Sequence, residues 1–422
     1  MTPLTRNQTR GFLAAWGGWA LDGMDSFIFA LVLVPALREL LPSSGIPATA
    51  GTLGYYGSVM FALFLIGWGL ALLWGPLADR FGRVRTMMIV ILWYSLFTFL
   101  GAVSQRLWQL ALLRLLAGIG IGGEWAMGAT FVAEEWPEDR RKFGAALMHT
   151  GYYFGFFLAA LANHSIGSRF GWRAMFAVGG LPALVVGFIR YGVHESARWE
   201  QKQAVVRRLS FWQPFAALFS TEYRRRTILN SIFVLVSIAG LWAGSVYVPA
   251  AVTAIAMRGG RSAAEAARLA SEGGMLLAGG TILGCLATPW LAERFGRRGA
   301  LAVFFVLMFV FISVGFGYVF YMPDALGLFM LCLCFLGIGG ANFAVYTLWL
   351  PEQYSTECRA SAFTFATSVG RFAGAGITFL VGMGVARHGS LGVPVAMTSL
   401  AFIVGLMLLP FGIETRGQAL PD

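Results

Sequence analysis

Apolar segments long enough to cross a lipid bilayer recur along the whole of this 422-residue chain. A helical span needs about 20 such residues, because backbone N–H and C=O groups in lipid must be paired within the segment itself. Only 12% of the residues are charged, far fewer than in a soluble domain. The apolar runs are continuous and do not alternate with polar residues, which disfavours a β-barrel. The sequence therefore predicts an all-α polytopic membrane protein.

The apolar runs divide into twelve predicted spans. The chain begins with a polar stretch that leads into a full-length apolar run, so the first span is expected to be retained and not cleaved. The spans, numbered 1 to 12 in chain order, are 12–36, 52–77, 85–104, 107–133, 143–163, 172–193, 227–255, 271–292, 299–321, 326–351, 359–386 and 391–413. The long polar connection 194–226 separates an N-terminal six-helix bundle (1–193) from a C-terminal one (227–422).

Most of the 31 Lys and Arg residues fall on the side of the membrane that holds both termini and the connection. Such an excess marks the cytoplasmic side. The formal net charge of +11 is thus explained by topology, and no nucleic-acid partner is expected. We expect a multi-pass protein of a bacterial-type inner membrane, with the lipid bilayer around it and both termini in the cytoplasm. The cysteines show no metal-ligand spacing, so neither a metal nor a cofactor is expected.

A short charged motif occurs twice, half a chain length apart. "ADRFGR" (78–83) follows span 2 and "AERFGR" (292–297) follows span 8, and the copies differ only in Asp79 and Glu293. Positive charge beside a turn would explain one copy, but it does not explain two. The repeat predicts two pseudo-symmetric six-helix halves.

The repeated motif also predicts a gate. Gly82 turns the chain, and the Asp79 carboxylate is expected to bind backbone N–H groups or arginine and so to latch neighbouring helices. The predicted gating residues are Gly75, Asp79, Arg80, Gly82, Arg83, Glu134, Glu135, Glu293, Arg294 and Arg297.

Three carboxylates within the spans predict a proton pathway, because ionisable groups are costly in a membrane and their presence there indicates function. Asp22 and Asp25 share one face of span 1 at i, i+3, and Glu124 lies in span 4. The alternative is a structural pair with an arginine.

Arginines in both halves predict an anionic substrate. Arg114 lies in span 4 and Arg371 in span 11, and a guanidinium can hold a carboxylate with two N–H bonds. The alternative for Arg114 is pairing with Asp22 or Asp25 inside its own half.

Polar aromatic residues and amides in the spans complete the predicted site. His149 in span 5 is predicted to relay a proton or to donate to a carboxylate, although a lone histidine is more often a packing residue. The other predicted substrate contacts are Tyr152, Tyr153, Trp242, Tyr247, Asn342 and Tyr346. Aromatic residues at such positions also face lipid or the core.

The chain resembles the major facilitator superfamily. The resemblance rests on the two loop motifs, "RLLAGIGIGGEWAMGA" (114–129), "HESARW" (194–199), "LPEQYSTECRASA" (350–362) and "ETRGQAL" (414–420). Within it, "WALDGMDSF" (19–27) resembles the aromatic acid:proton symporters. Together with "GWRAMFAVGGLPAL" (171–184), it looks closest to the sialate:proton symporters. The resemblance implies that Asp79 lies beside the start of span 11, near Ser361.

These observations together predict a proton-coupled symporter of a small organic carboxylate that works by alternating access, as a monomer. The alternatives are a uniporter or anion exchanger of organic acids, and proton-coupled drug efflux. An enzyme is not expected, because no nucleophile–base set or metal cluster stands out in the sequence.

Overall fold

Each of the twelve predicted spans falls on helix in the computed structural model, which describes residues 2–206, 210–241 and 247–421. In the N-terminal half the helices are Arg6–Ser43 (span 1), Ala50–Leu70 and Trp74–Phe81 (span 2), Arg83–Gly101 (span 3), Leu107–Glu135 (span 4), Glu138–Ala162 (span 5), and Ser168–Val178 with Ala183–Gly192 (span 6). The connection carries the short helices Ala197–Val206 and Gln213–Leu218.

The C-terminal half repeats this arrangement. Its helices are Arg224–Leu241 and Val248–Arg258 (span 7), Ala263–Gly317 (spans 8 and 9), Leu326–Gly340 and Asn342–Trp349 (span 10), Arg359–His388 (span 11), and Gly392–Met397 with Leu400–Leu408 (span 12). Short turns of 3-10 helix at Ala71–Leu73, Val319–Tyr321, Pro351–Gln353 and Leu409–Phe411, and π-helix at Asn163–Gly167, extend or join these pieces.

Nine helical segments of the described chain are long and apolar enough to cross a membrane. Two of them, Glu138–Val186 and Glu265–Tyr321, each contain two predicted spans. Span 7 is not among the nine, and its residues 242–246 lie outside the described part of the chain. The nine segments and the twelve predicted spans therefore agree.

Both chain ends lie on one side of the molecule. Near the N-terminus, Asn7 Nδ2 donates to the carbonyl of His194 at 3.4 Å. Near the C-terminus, the carbonyl of Pro421 accepts from Arg359 Nη2 at 2.6 Å. We call this face, which also carries the connection, the termini side.

Span 1 begins earlier than predicted because of its cap. The Thr5 side chain accepts from Gln8 N, and the Gln8 side chain accepts from Thr5 N in return. This capping box pairs N–H groups that a helix start would otherwise leave without partners.

The two copies of the charged motif turn the chain in the same way. Gly82 has φ 110° and ψ 154°, and Gly296 has φ 74° and ψ 178°. Only glycine adopts this region of backbone conformation without strain. The repeated motif is thus a glycine hinge between two antiparallel spans, and the turn predicted at Gly82 is present.

A glutamate from a distant segment caps the helix that follows each hinge. Glu195 accepts from the backbone N–H of Val84 and Arg85, both at 3.0 Å. Burial raises the pKa of Glu195, and these backbone bonds oppose that rise. In the second half, Glu414 accepts from the N–H of Arg297 at 2.9 Å and of Arg298 at 3.2 Å. Neither glutamate was predicted to have a role from the sequence.

We predict that Gly82→Ala destabilises the protein. The new Cβ would lie 2.3 Å from a carboxylate oxygen of Glu195, and the backbone strain alone costs about 1–3 kcal/mol. Thermal unfolding in detergent should show a lower melting temperature. Gly54→Ala is the matched control, because its Cβ would meet nothing within 4 Å and helical alanine is favoured over glycine. Equal melting temperatures for the two variants would contradict this account of the hinge.

Candidate functional site

Three buried ionisable side chains lie near the middle of spans 1, 4 and 11, and we call them the central cluster. They are Asp22, Glu124 and Arg371, with exposed fractions of 0%, 0% and 6%. Asp22 is close enough to both of the others to interact with them electrostatically. The two acids belong to the N-terminal half and the arginine to the C-terminal half, so the cluster lies where the halves meet.

The two carboxylates of the central cluster are buried against apolar and backbone atoms of the described spans. A Cβ on Gly18, one turn before Asp22, would lie 2.0 Å from Glu124 Oε1, so the Glu124 carboxylate rests against span 1. None of the four carboxylate oxygens of Asp22 and Glu124 has a hydrogen-bond partner among the described residues. A buried, unpaired carboxylate ion is very costly. These groups therefore suit binding of a proton.

Arg371 lies against indole rings. Its guanidinium carbon is 4.1 Å from the ring centroid of Trp68 and 5.8 Å from that of Trp125, and Nη1 donates to the carbonyl of Thr367 at 3.0 Å. The two tryptophans belong to spans 2 and 4. An arginine of one half thus stacks on aromatic rings of the other, and its planar fork has the geometry that recognises a carboxylate.

Arg114 is held inside the N-terminal half. Its Nη1 is 3.4 Å from Asp25 Oδ2, and its Nη2 donates to Thr98 Oγ1 at 2.7 Å. Its guanidinium carbon also lies 5.5 Å from the centre of Phe29 and 4.9 Å from that of Phe176. The structure thus shows the pairing that the sequence left open as an alternative. A direct contact of Arg114 with substrate stays a prediction.

His149 lies among aromatic rings beside the central cluster. Its ring centre is 5.5 Å from Trp125 and 6.0 Å from Trp19, and it stacks on Phe343 at 6.1 Å. Tyr152 lies 4.8 Å from Trp19 in the same group, and Tyr153 meets His149 edge to face at 6.0 Å. The structure brings these three predicted residues together with the rings of Trp19, Trp125 and Phe343, which were not predicted as site residues.

The remaining predicted substrate contacts lie farther away or are engaged elsewhere. The Tyr346 hydroxyl donates to the carbonyl of Phe233 at 2.8 Å, inside the C-terminal half. The Tyr247 hydroxyl is 3.4 Å from the carbonyl of Thr378. Asn342 Nδ2 donates to the carbonyl of Gly339, whereas its Oδ1 has no partner in the described chain. Trp242 lies outside the described residues.

Asp79 joins the two halves on the termini side. Its carboxylate accepts from Ala360 N at 3.2 Å, from Ser361 N at 2.9 Å and from Ser361 Oγ at 2.6 Å. Ala360 and Ser361 open span 11, where N–H groups are free to bind an anion. Gly75 permits this approach, since a Cβ there would lie 2.2 Å from Thr364 Oγ1. We call this contact the latch.

A buried charge network surrounds the latch. Arg83 donates to both oxygens of Glu134 at 2.8 and 3.2 Å, and Arg359 donates to Glu134 Oε1 at 2.8 Å. The Ser196 hydroxyl also donates to Glu134. Because Arg359 is the first residue of span 11 and Glu134 lies at the end of span 4, the network also joins the halves.

The second half repeats part of this network. Arg297 donates to both oxygens of Glu352 at 2.9 and 2.7 Å, and the Thr415 hydroxyl donates to Glu352 at 2.6 Å. Arg297, Glu352 and Thr415 occupy the places of Arg83, Glu134 and Ser196. Glu352 and Thr415 were not predicted as site residues, although they lie in segments that carried the family resemblance.

The other predicted gating residues take different partners. Glu293, the counterpart of Asp79, pairs with Lys142 at the start of span 5. Glu135 accepts from Ala197 N at 2.7 Å. Arg80 and Arg294 each lie within 6 Å of the centre of a neighbouring aromatic ring. Their guanidinium groups thus contact rings beside the network.

The family model of the Major Facilitator Superfamily matches residues 15–378. The chain belongs to this superfamily. It is therefore a multi-pass membrane transporter, and both the predicted fold and the predicted resemblance are confirmed.

Relatives of this superfamily member agree with that assignment. A probable 4-methylmuconolactone transporter of Cupriavidus pinatubonensis is 32% identical, over 98% of this chain and 92% of its own. A sialic acid transporter of Escherichia coli is 24% identical, over 97% of this chain and 95% of its own. Among solved structures, the proton:xylose symporter XylE superposes with a TM-score of 0.79 at 19% identity and covers 98% of both chains, which supports the fold.

We predict that Asp79→Asn opens the termini side of the transporter. The variant keeps the size of the side chain but loses bonds to a charged acceptor, each worth about 1.5–3 kcal/mol. Spin-label distances across the termini side should shift toward the open population. Glu293→Gln is the matched control, because an exposed ion pair contributes only about 0–1 kcal/mol. An unchanged distance distribution in Asp79→Asn would contradict the latch and leave this loop only the role of marking the cytoplasmic side.

Proposed function

We propose that this transporter carries a small organic carboxylate together with protons by alternating access. The observation that carries the proposal is the central cluster. One half presents an arginine, the other presents two carboxylates that have no hydrogen-bond partner in the described chain, and all three are buried at the interface between the halves.

Charge balance supports coupling to protons. Asp22, Asp25 and Glu124 supply three buried acids, and Arg114 and Arg371 supply two buried bases. A carboxylate substrate on Arg371 would add one more negative charge to a region of low dielectric, where unpaired charge is expensive. Protons on Asp22 or Glu124 remove that cost. A proton on Asp25 would also remove negative charge, but it would break the ion pair between Asp25 and Arg114.

The walls of the cluster support a small acid with a flat or ring-shaped body. Trp68 and Trp125 lie beside Arg371, and Trp19 and Tyr152 continue this group of rings next to Trp125. An acid bound to Arg371 would therefore meet apolar walls and a few fixed polar groups, as ligands in small-molecule sites usually do. The named substrates of the relatives, a muconolactone and sialic acid, are both organic acids.

The contacts between the halves support alternating access. The latch and its charge network close the termini side, while a cleft between spans 5 and 8 lies on the opposite side. Residues that line this cleft include Phe27, Phe156, Asn163, His164, Ser271 and Met275. In our proposal the bundles 1–193 and 227–422 rock about the cluster, joined by 194–226, with the termini in the cytoplasm of a bacterial cell and the monomer as the working unit.

The decisive experiment is transport in proteoliposomes. Labelled aromatic and aliphatic carboxylates should exchange across the membrane in counterflow, and an imposed pH gradient should drive their accumulation. Exchange without proton-driven accumulation would favour the uniporter or anion exchanger. Transport of apolar cations but not of acids would favour drug efflux and contradict the proposal.

Replacing Arg371 should weaken binding of the acid. Arg371→Lys keeps the charge but loses the planar fork, so affinity falls. Arg371→Ala leaves a substrate carboxylate without its partner and should cost about 2–5 kcal/mol of binding free energy. Calorimetry or a thermal-shift titration would measure this. Arg387→Ala, at the exposed end of the same helix, is the control. If Arg371→Ala binds the acid normally, another residue must hold the substrate carboxylate, and Arg114 is the first candidate.

Neutralising the acids of span 1 should uncouple transport. Asp22→Asn and Asp25→Asn are expected to lose accumulation under a pH gradient, because an amide cannot take up and release the proton. Counterflow should persist in Asp22→Asn. Asp324→Asn in an exposed loop is the control. If both span 1 variants accumulate substrate at the wild-type rate, neither carboxylate carries the coupled proton.

A further inference from the structure

A single side-chain hydrogen bond joins spans 4 and 10 across the interface between the halves. Trp125 Nε1 donates to Thr347 Oγ1 at 2.9 Å. Both residues are buried, with exposed fractions of 2% and 1%. Because span 4 belongs to the N-terminal half and span 10 to the C-terminal half, any opening of the interface at this level must break the bond.

This bond lies between the central cluster and the termini side. Span 11 starts on the termini side, so Phe363 lies about 12 Å closer to that side than Arg371 does, from a rise of ~1.5 Å per residue. The Trp125 ring meets Phe363 edge to face at 4.9 Å, and the Arg371 guanidinium carbon is 5.8 Å from the Trp125 ring centre. The indole therefore lies at a depth between those of Arg371 and Phe363, on the termini side of the central cluster.

Span 10 presents two residues to the indole from one helix face. Phe343 and Thr347 are four positions apart, which places them on the same side of the helix. The Phe343 ring centre is 5.8 Å from that of Trp125. The Thr347 hydroxyl donates to the carbonyl of Phe343 at 3.1 Å, so its proton points away from the indole and its oxygen is free to accept.

The bond and the rings around it close one continuous layer. Trp125 stacks on Trp19 at 5.6 Å on the N-terminal side, and Phe343 stacks on His149 across the interface. An indole N–H left unpaired in a dry interior carries a desolvation penalty. The layer thus favours the arrangement in which spans 4 and 10 are in contact, because separating them leaves the indole N–H without a partner until water reaches it.

We propose that Trp125 and Thr347 form the gate that closes the path between the central cluster and the termini side. The proposal rests on the alternating access argued above and adds to it a second barrier, inside the latch. The gate would open when span 4 and span 10 separate, and its re-formation would seal the cluster from the termini side.

The test removes the bond while keeping the packing. Thr347→Val has nearly the same shape but no acceptor, Thr347→Ser keeps the hydroxyl, and Trp125→Phe keeps an aromatic ring without the N–H. A cysteine at Thr364, buried in the contact of spans 2 and 11 on the termini side, reports opening through its reaction with a charged thiol reagent. The background carries alanine at the four native cysteines.

The labelling rate measures how often the termini side opens. An ordinary hydrogen bond is worth about a threefold to tenfold change in an equilibrium, so Thr347→Val and Trp125→Phe should raise the rate by about that factor. Thr347→Ser should match the wild type. Equal rates in Thr347→Val and the wild type, or an equal rise in Thr347→Ser, would overturn the gate.

This measurement separates the gate from the proposed function. It needs neither a substrate nor a proton gradient, so failure to transport organic acids leaves its outcome intact. Melting temperatures of each variant show that the fold is retained. If Trp125→Phe does not fold, the comparison of Thr347→Val with Thr347→Ser decides the question alone.

Discussion

The interior of a membrane does not solvate charge, and the arrangement of the ionisable groups buried in the described spans follows from that constraint. Arg114 lies against Asp25 and Thr98, and Arg371 lies over tryptophan rings. Asp22 and Glu124 lack such partners in the described chain. The packing therefore leaves two acids and one arginine close together at the interface without hydrogen bonds between them in the described chain, and the proposed function assigns the proton and the organic anion to these groups. These carboxylates lie at the interface that would open and close in the proposed transport cycle.

The polar contacts within each half differ from those between the halves. Within each half, an arginine bound through two N–H groups, a glutamate and a hydroxyl tie the ends of the spans together, as in Arg297, Glu352 and Thr415. Between the halves, the contacts come from a few polar groups, such as the Asp79 carboxylate, the Arg359 guanidinium and the Trp125 indole. In the proposed alternating access, two bundles joined by a few breakable polar contacts would rock against each other.

Much of the architecture followed from the sequence, because it depends on local patterns. The length of the apolar runs predicted the spans, the repeated motif predicted the two halves, and the glycine at 82 predicted the turn. The partners of these residues were harder to predict. Glu195 and Glu414 cap helices that begin more than a hundred positions away in the chain, and no local pattern relates a cap to so distant a helix.

The sequence by itself determined that this chain crosses a membrane many times, that its halves are repeats and that acids and arginines lie within its spans. The reason is that each of these properties depends on the kind and order of residues. Only the tertiary structure decided which buried charge pairs with which. Arg114 binds Asp25 within one half, whereas Arg371 lies over two tryptophans of the other half and near Asp22. Helix rotation and packing set those choices, since they decide which face of each span turns toward the interface.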